Sequence, residues 1–303
     1  MKIRFAVAPH ASLGPEAITQ FGDAVEGAGF DGVWLSDLPV SPALDPLVGL
    51  ALLAGRSGRT HLGANLVPLG RNPYLLAKTL AQLDRVSGGR LLLSFVTGLH
   101  RAGEGAVLGL APGGGSRGDL LEESLGLLRS WWAGETVTHR SSHWSFDEVA
   151  SPARPVQEPL EVWLGGRGPL ALERVGRIAD GWLGAAVTPG GARLARERIQ
   201  MAAATAGREV DPEHFGMSIP YARRQPPAQV LADLSRRRGD VDPRALLPVG
   251  REALREMVGG YLEAGLSKFV VRPAVPVASW DEELDWLARA MEAGDETEEQ
   301  SAP

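Results

Sequence analysis

The segment from Thr60 to Gly98 constrains the fold more than any other part of the chain, because two apolar runs flank an amphipathic one. The runs His61 to Val67 and Leu91 to Val96 have the length and composition of strands that are buried on both faces. Between them, Asn72-Pro73 is a helix-start signal, and leucines recur at helical spacing as far as Gly88-Gly89. A strand, a helix and a strand joined by short loops predict a right-handed crossover of a parallel sheet.

The same alternation continues through the rest of the chain. Six further short apolar runs are predicted strands: Lys2–Ala8, Gly32–Ser36, Leu160–Leu164, Gly181–Ala186, Phe215–Pro220 and Lys268–Arg272. Eight buried strands separated by helices predict an α/β fold, a single-domain (β/α)₈ TIM-like barrel over residues 1–293 with insertions after the fourth and seventh strands. A doubly wound open sheet is the alternative, but it uses fewer strands, and no linker-like break in composition divides this chain.

Composition excludes several kinds of site and partner. The 303 residues include no cysteine, which excludes disulfides, thiolate metal sites and a cysteine nucleophile. The net charge is −6, and part of the acidic excess lies in a tail, residues 294–303, which we predict to be disordered. The near-neutral remainder argues against a nucleic-acid partner. No apolar run predicts a membrane span or a signal peptide, so we expect no membrane partner and a cytoplasmic protein.

In a barrel of this type the active site lies where the strands end, at their C-terminal edge. The residues predicted there include no pair of inward carboxylates, no set of three metal ligands and no serine–histidine–acid triad. Small residues predominate, which suits a flat bound ring and leaves the redox chemistry to a cofactor. Gly165-Gly166-Arg167-Gly168 can direct backbone N–H groups at an anion, and a plain tight turn is the alternative.

Several segments in the right order resemble the luciferase-like oxidoreductase superfamily. Arg71–Gly98 is similar to its third-to-fourth-strand signature, and further similarity covers Gly27–Asp37, Leu160–Gly166, Ala179–Trp182 and Tyr261–Pro273. This superfamily includes FMN-dependent monooxygenases and enzymes that use the deazaflavin coenzyme F420, and its fold is a TIM-like barrel. Within it, Asn72-Pro73, Asp84 and Ser87–Arg90 resemble the F420-dependent branch most closely.

The resemblance implies a binding site for coenzyme F420, with FMN as the alternative cofactor. The residues implied to bind the cofactor are Asp37, Ala64, Asn65, Thr97, Gly98, Gly165, Gly166 and Arg167. Thr97 and Gly98 are expected along the ring and its side chain, and the two glycines after the fifth predicted strand are expected at the phosphate. A cis peptide bond between Ala64 and Asn65 is expected to support the ring from behind.

The resemblance also bears on proton transfer, and here the sequence departs from the family pattern. Asp37 matches an acid near the redox end of the ring, but it is followed by Leu38 where many F420 enzymes have histidine. Leu99 replaces an acid that is common after the fourth strand. His10 and His100 are therefore the candidate proton donors, since histidine titrates near neutral pH, and a plain loop histidine is the alternative for each.

The sequence thus predicts an oxidoreductase that moves a hydride between coenzyme F420 and a small organic substrate, without a metal. One alternative is an FMN-dependent monooxygenase that uses O₂ and a partner flavin reductase. Another is a non-catalytic barrel that binds a ligand. The resemblance further implies a homodimer.

Overall fold

The computed structural model describes residues 2–110 and 116–291, so the acidic tail predicted at residues 294–303 lies outside the described part. The strands are β1 (Arg4–Val7), β2 (Gly32–Ser36), β3 (His61–Leu66), β4 (Leu91–Phe95), β5 (Val137–Arg140), β6 (Ser145–Val149), β7 (Val162–Leu164), β8 (Gly181–Ala185), β9 (Phe215–Tyr221) and β10 (Lys268–Pro273). The α-helices are α1 (Ile18–Gly27), α2 (Pro46–Ala54), α3 (Pro73–Ser87), α4 (Glu104–Val107), α5 (Arg117–Trp132), α6 (Pro169–Ile178), α7 (Pro189–Thr205), α8 (Ala228–Arg237), α9 (Arg251–Glu263) and α10 (Trp280–Met291).

Eight parallel strands close into a barrel. Around it the order is β1, β2, β3, β4, β7, β8, β9 and β10, and β10 pairs back onto β1. The predicted (β/α)₈ barrel is therefore confirmed, and the open sheet is excluded. The antiparallel hairpin β5–β6 forms part of the insertion after the fourth barrel strand. Helix α8 and a 3₁₀ turn, Pro243–Leu246, form the insertion after the seventh.

Helix starts follow the capping signals in the sequence. The Asn72 side chain accepts hydrogen bonds from the N–H groups of Tyr74 and Leu75 at 3.0 and 3.2 Å, which satisfies two N–H groups at the start of α3. The sequence predicts a helix from Leu120 to Trp132, but α5 begins three residues earlier, because Ser116 caps it by accepting from the Gly118 N–H at 3.2 Å. A serine in a glycine-rich stretch was therefore a cap rather than part of a longer loop.

Alternate residues on each barrel strand face either the helices or the barrel interior. The outward residues of β3, including Ala64, belong to the main core between the sheet and the helices. The inward residues Trp34, Leu183 and Val270 form a separate interior cluster. Arg272 is two residues beyond Val270 on β10, so it faces the interior at the C-terminal edge. Within residues 2–110 and 116–291, no helix is long and apolar enough to span a membrane.

Candidate active site

The predicted site residues lie around one rim of the barrel. His10 follows β1, Asp37 follows β2, Thr97-Gly98 follows β4 and Gly165–Arg167 follows β7. Since these strands are all parallel, their C-terminal ends meet at the same edge. The structure thus brings together the residues that the sequence placed at strand ends.

The loop after β4 is organised by Glu104, which is not among the residues predicted for the site. Its carboxylate, 1% exposed, accepts hydrogen bonds from the backbone N–H groups of Leu99 and His100 at 3.1 and 2.7 Å. It also pairs with Arg117 Nη1 at 2.7 Å, and the same guanidinium nitrogen donates to the Thr97 carbonyl at 2.9 Å. Burial raises the pKa of Glu104, but Arg117 and the two N–H groups outweigh it and hold that pKa below its ordinary value.

This buried pair leaves no room for a side chain at Gly98. Gly98 has φ +88°, and a Cβ there would lie 2.7 Å from Glu104 Oε2. Glycine is needed at this corner for both its conformation and its size. Gly98 therefore presents bare backbone at the rim, and the Glu104–Arg117 pair packs behind that backbone.

The turn after β7 forms a second glycine corner. The Gly165 N–H continues the strand ladder by donating to the Phe95 carbonyl at 2.9 Å, and a Cβ on Gly165 would lie 2.6 Å from Val96 Cγ1. Gly166 has φ +110°, and Gly168 is the N-cap of α6. In the described part of the chain, no acceptor faces the N–H groups of Gly166 and Arg167. This corner therefore has the backbone shape and the helix N-terminus that a phosphate requires.

Arg167 is exposed, and one of its nitrogens already has a partner. Its Nη2 donates to the Arg237 carbonyl at 3.0 Å, at the end of α8. Arg238 in turn donates from Nη1 to the Ala186 carbonyl after β8 and pairs with Asp240 at 2.8 Å. The two arginines tie the end of α8 to the ends of β7 and β8. The remaining N–H groups of Arg167 can still contact an anion at the Gly165-Gly166 corner.

Asp37 lies at the rim but is held by other groups. Its side chain, 7% exposed, accepts from the Val67 N–H at 3.1 Å and pairs with Arg71 at 3.0 Å. Arg71 also pairs with Asp45, the N-cap of α2, at 2.9 Å. Burial raises the pKa of Asp37, and Arg71 and the Val67 N–H oppose that rise. Its implied role near the redox end of a ring remains a prediction.

The structure corrects two expectations about Ala64 and Asn65. Their peptide bond is trans within the regular ladder of β3, and within the described ranges the cis peptide bond is Glu158–Pro159. The Ala64 side chain is fully buried among the outward core residues, so it does not face the barrel mouth. Asn65 points inward, where its Nδ2 lies 3.4 Å from Ser36 Oγ. Of the two, Asn65 is the residue that can contact a ligand.

His10 shares a small cavity of about 50 Å³ at the rim with Arg272 and Ser36. The Ser12 N–H donates to His10 Nδ1 at 3.2 Å, and Ser12 Oγ lies 2.7 Å from the same nitrogen. An Nδ1 that accepts from a backbone N–H assigns the proton to Nε2. Burial lowers the pKa of His10, and nearby Arg272 lowers it further. His10 is therefore a neutral imidazole whose Nε2–H is the available donor.

Arg272 is an inward-facing charge at this rim. The structure gives it no ion-pair partner in residues 2–110 or 116–291. Burial and the neighbouring Arg237 lower the pKa of Arg272, although an arginine remains charged. A half-buried cation without a carboxylate partner beside His10 favours a negatively charged ligand group at this position.

The second candidate histidine, His100, differs from His10. It has φ +56°, its side chain is exposed, and its backbone N–H is the group that binds Glu104. Its position is thus explained by the loop after β4. Within residues 2–110 and 116–291, no three His, Asp or Glu residues are grouped so that they could hold a metal ion.

Asp37→Asn is expected to leave turnover and cofactor affinity within about threefold, because an amide oxygen can still accept from Val67 and Arg71. Asp37→Ala removes that acceptor and should lower the free energy of unfolding by about 1–3 kcal/mol. Urea unfolding and steady-state kinetics of both variants provide the measurement. A fall in kcat of about 100-fold or more in Asp37→Asn, with unchanged stability, would instead make this carboxylate a proton-transfer group.

Comparison with known proteins agrees with this geometry. The sequence profile of the luciferase-like monooxygenase family matches residues 1–297. The chain belongs to that family. The solved structure of an F420-dependent secondary alcohol dehydrogenase in complex with an F420–acetone adduct superposes with a TM-score of 0.81 at 18% identity, over 96% of this chain and 98% of that one. That similarity shows the shared fold.

Two curated enzymes illustrate the similarity in sequence. An F420-dependent glucose-6-phosphate dehydrogenase of Microbacterium testaceum is 33% identical over 181 residues, 56% of this chain and 53% of the relative. A 5,10-methylenetetrahydromethanopterin reductase of Methanolobus tindarius is 27% identical over 259 residues, 77% of this chain and 74% of the relative. The chain spans about half the length of the first of these relatives.

Proposed function

We propose that this protein is a coenzyme F420-dependent oxidoreductase that moves a hydride between the coenzyme and a small organic substrate. The observation that carries the proposal is the pair of glycine corners at one rim, Gly98 and Gly165-Gly166, where added Cβ atoms would clash. Such corners bring bare backbone to a flat, phosphate-bearing molecule. The similarity to the F420-dependent glucose-6-phosphate dehydrogenase supports F420 as that molecule.

The chain's own residues divide into those that hold the coenzyme and those that face the substrate. Gly165, Gly166 and Arg167, with the start of α6, would hold the phosphate. Thr97-Gly98 and Asn65 would line the ring, and Glu104 and Arg117 keep that wall in place. The coenzyme, when bound, gives or accepts the hydride.

His10 and Arg272 would act on the substrate. The Nε2–H of neutral His10 can donate to the substrate oxygen whose charge grows or falls as the hydride moves, which stabilises that charge in either direction. Arg272, beside it in the same cavity, would hold an anionic group of the substrate and so orient the reacting carbon. The substrate we propose is therefore a small alcohol or carbonyl compound that carries a carboxylate or a phosphate.

A coenzyme titration tests the proposal. We expect purified protein to bind oxidised F420 saturably, with a shift in the coenzyme's absorption spectrum, and to bind FMN at least about tenfold more weakly. Arg167→Ala should weaken F420 binding by about tenfold, since it removes one charge-assisted contact to the phosphate. Arg59→Ala, at an exposed arginine near the opposite rim, is the matched control and should leave the affinity for F420 unchanged.

The alternative cofactor predicts the opposite result. Tighter binding of FMN, together with turnover that consumes O₂ in the presence of a flavin reductase, would reject the F420 proposal in favour of a monooxygenase. Binding of neither coenzyme would favour the non-catalytic ligand-binding alternative. The homodimer also remains a prediction, and sedimentation of the purified protein tests it.

A further inference from the structure

The barrel contains a cavity of about 250 Å³ at the N-terminal ends of its strands, opposite the rim that carries the candidate active site. Its inner wall is formed by Trp34, Trp163, Leu183 and Val270. The interior of a (β/α)₈ barrel is ordinarily filled by side chains, and protein interiors have few voids larger than a water molecule. An interior space of this size therefore needs an explanation.

Glycines on the barrel wall explain how the space arises. A Cβ at Gly63 would lie 2.0 Å from Trp34 Cε3, and a Cβ at Gly181 would lie 2.5 Å from Trp163 Cδ2. Each indole ring therefore packs directly against bare backbone of a neighbouring strand. Ala6, on β1, adds only a methyl group to the wall. The two largest inward side chains thus lie against the wall, and the volume between them remains open.

A polar atom without a partner belongs to one of the residues that line this cavity. Trp34 Nε1 is buried, in a side chain 6% exposed, and it has no hydrogen-bond partner in the part of the chain that the structure describes. Trp34 lies between this cavity and the rim cavity of His10, since it lines both. A buried donor without an acceptor is unfavourable, because it has lost its hydrogen bond to water. A ligand that carries an acceptor would remove that cost.

The charges at the mouth of this cavity are balanced within the protein. Arg4 pairs with Asp31 at 3.1 Å, Lys268 with Glu213 at 3.4 Å, and His214 lies 3.7 Å from Glu161. A charged ligand would lose hydration on entering an apolar space without finding an unpaired counter-ion at the mouth. The chemistry of the cavity therefore favours a neutral ligand.

We propose that this cavity, which we call the lower chamber, is a second binding site, for a neutral one- or two-ring aromatic molecule that carries a hydrogen-bond acceptor. The rings pack against Trp34 and Trp163, and the acceptor receives the Trp34 Nε1–H. The volume is adequate, because an apolar cavity of about 150 Å³ already holds benzene. The chamber and the proposed coenzyme site lie at opposite ends of the strands, and Trp34 separates the chamber from the rim cavity of His10.

Two probes of nearly equal shape test the lower chamber: acetophenone, which has a carbonyl acceptor, and ethylbenzene, which has none. The readout is the indole N–H resonance of Trp34 in ¹H–¹⁵N NMR, assigned by its loss in Trp34→Phe. We expect a saturable shift with acetophenone and about tenfold weaker binding of ethylbenzene. In the Trp34→Phe variant, where the Trp163 indole N–H resonance reports binding, the two probes should have equal affinity.

Ala6→Leu fills the chamber and should abolish acetophenone binding, whereas saturation with coenzyme F420 should leave it intact. Diffraction from crystals soaked in 4-bromoacetophenone locates the bromine in the wild-type protein, so the test does not depend on the folding of any variant. We expect the bromine between Trp34 and Trp163. Equal affinity for the two probes, unchanged binding in Ala6→Leu, a chamber that holds water only, or bromine beside His10 would each overturn the proposal.

Discussion

Replacing Glu104 by alanine is expected to lower the free energy of unfolding by about 3–5 kcal/mol, because breaking a buried ion pair leaves Arg117 without its counter-ion. The same change removes the acceptor of the Leu99 and His100 N–H groups, so the loop after β4 should lose its fixed conformation. We expect coenzyme affinity to fall by at least about tenfold as the wall formed by Thr97-Gly98 loosens. Urea unfolding and coenzyme titration measure the two effects.

The matched control is the exposed ion pair of Asp23 with Arg56, whose side chains are 53% and 48% exposed. Asp23→Ala should cost less than about 1 kcal/mol, since such pairs contribute little. Equal losses of stability in the two variants would contradict the role assigned to Glu104.

Acidification should reproduce part of the Glu104 effect. The folded-state pKa of Glu104 lies below its ordinary value, so its contribution to stability is present above that ordinary value and is lost as the pH falls through the folded-state pKa. Wild-type protein should therefore become less stable below about pH 4, which is near the ordinary pKa of glutamate. The Glu104→Ala variant should show a smaller loss over the same range.

Replacing His10 by alanine is expected to lower kcat by about 100- to 1000-fold, the usual effect of removing one donor that stabilises charge on a reacting oxygen. Folding should be unaffected, because within the described ranges the hydrogen bonds of the His10 side chain are all made with its near neighbour Ser12. Coenzyme affinity, measured in the same titration as above, should also be unchanged. Stopped-flow reduction or oxidation of the bound coenzyme measures the loss on the chemical step.

His100→Asn is the control for His10, because asparagine tolerates the positive φ at that position. We expect its kcat to remain within about threefold of the wild type. Because the pKa of His10 is lowered, the change in rate caused by its titration should lie below pH 6.5 in the wild-type pH–rate profile, 6.5 being the ordinary pKa of histidine. A larger loss of kcat in His100→Asn than in His10→Ala would make His100, rather than His10, the donor to the substrate oxygen.

The fold was predictable because its signals are local and repeated. Each barrel strand is a short apolar run, and caps such as Asp45 and Asn72 mark the helices between strands. The start of α5 was misplaced because a serine cap in a glycine-rich stretch has no flanking apolar periodicity. Successive side chains on a strand point to opposite faces of the sheet, so a difference of one residue exchanges inward and outward. This explains why Ala64 was wrongly expected to contact the cofactor.

The candidate site was less predictable, because its decisive contacts join residues that are distant in sequence. Glu104 and Arg117 are 13 residues apart in the sequence, and neither charge is distinguishable there from that of a surface residue. Arg272 belonged to the predicted strand ends, but its lack of a partner emerges only when the surrounding side chains are in place. The sequence signal for Arg272 was its place on a barrel strand, two positions after the inward residue Val270, at the C-terminal edge.

The ties that hold α8 against the rim have a consequence for how this scaffold can diversify. Arg167 donates a hydrogen bond to the Arg237 carbonyl, and Arg238 donates one to the Ala186 carbonyl. Both acceptors are main-chain groups, which every amino acid supplies. Arg167 and Arg238 can therefore anchor the insertion after β9 whatever side chains the rest of it carries. New substrate preferences could accumulate on that insertion by mutation while the strand ends beneath it keep their positions.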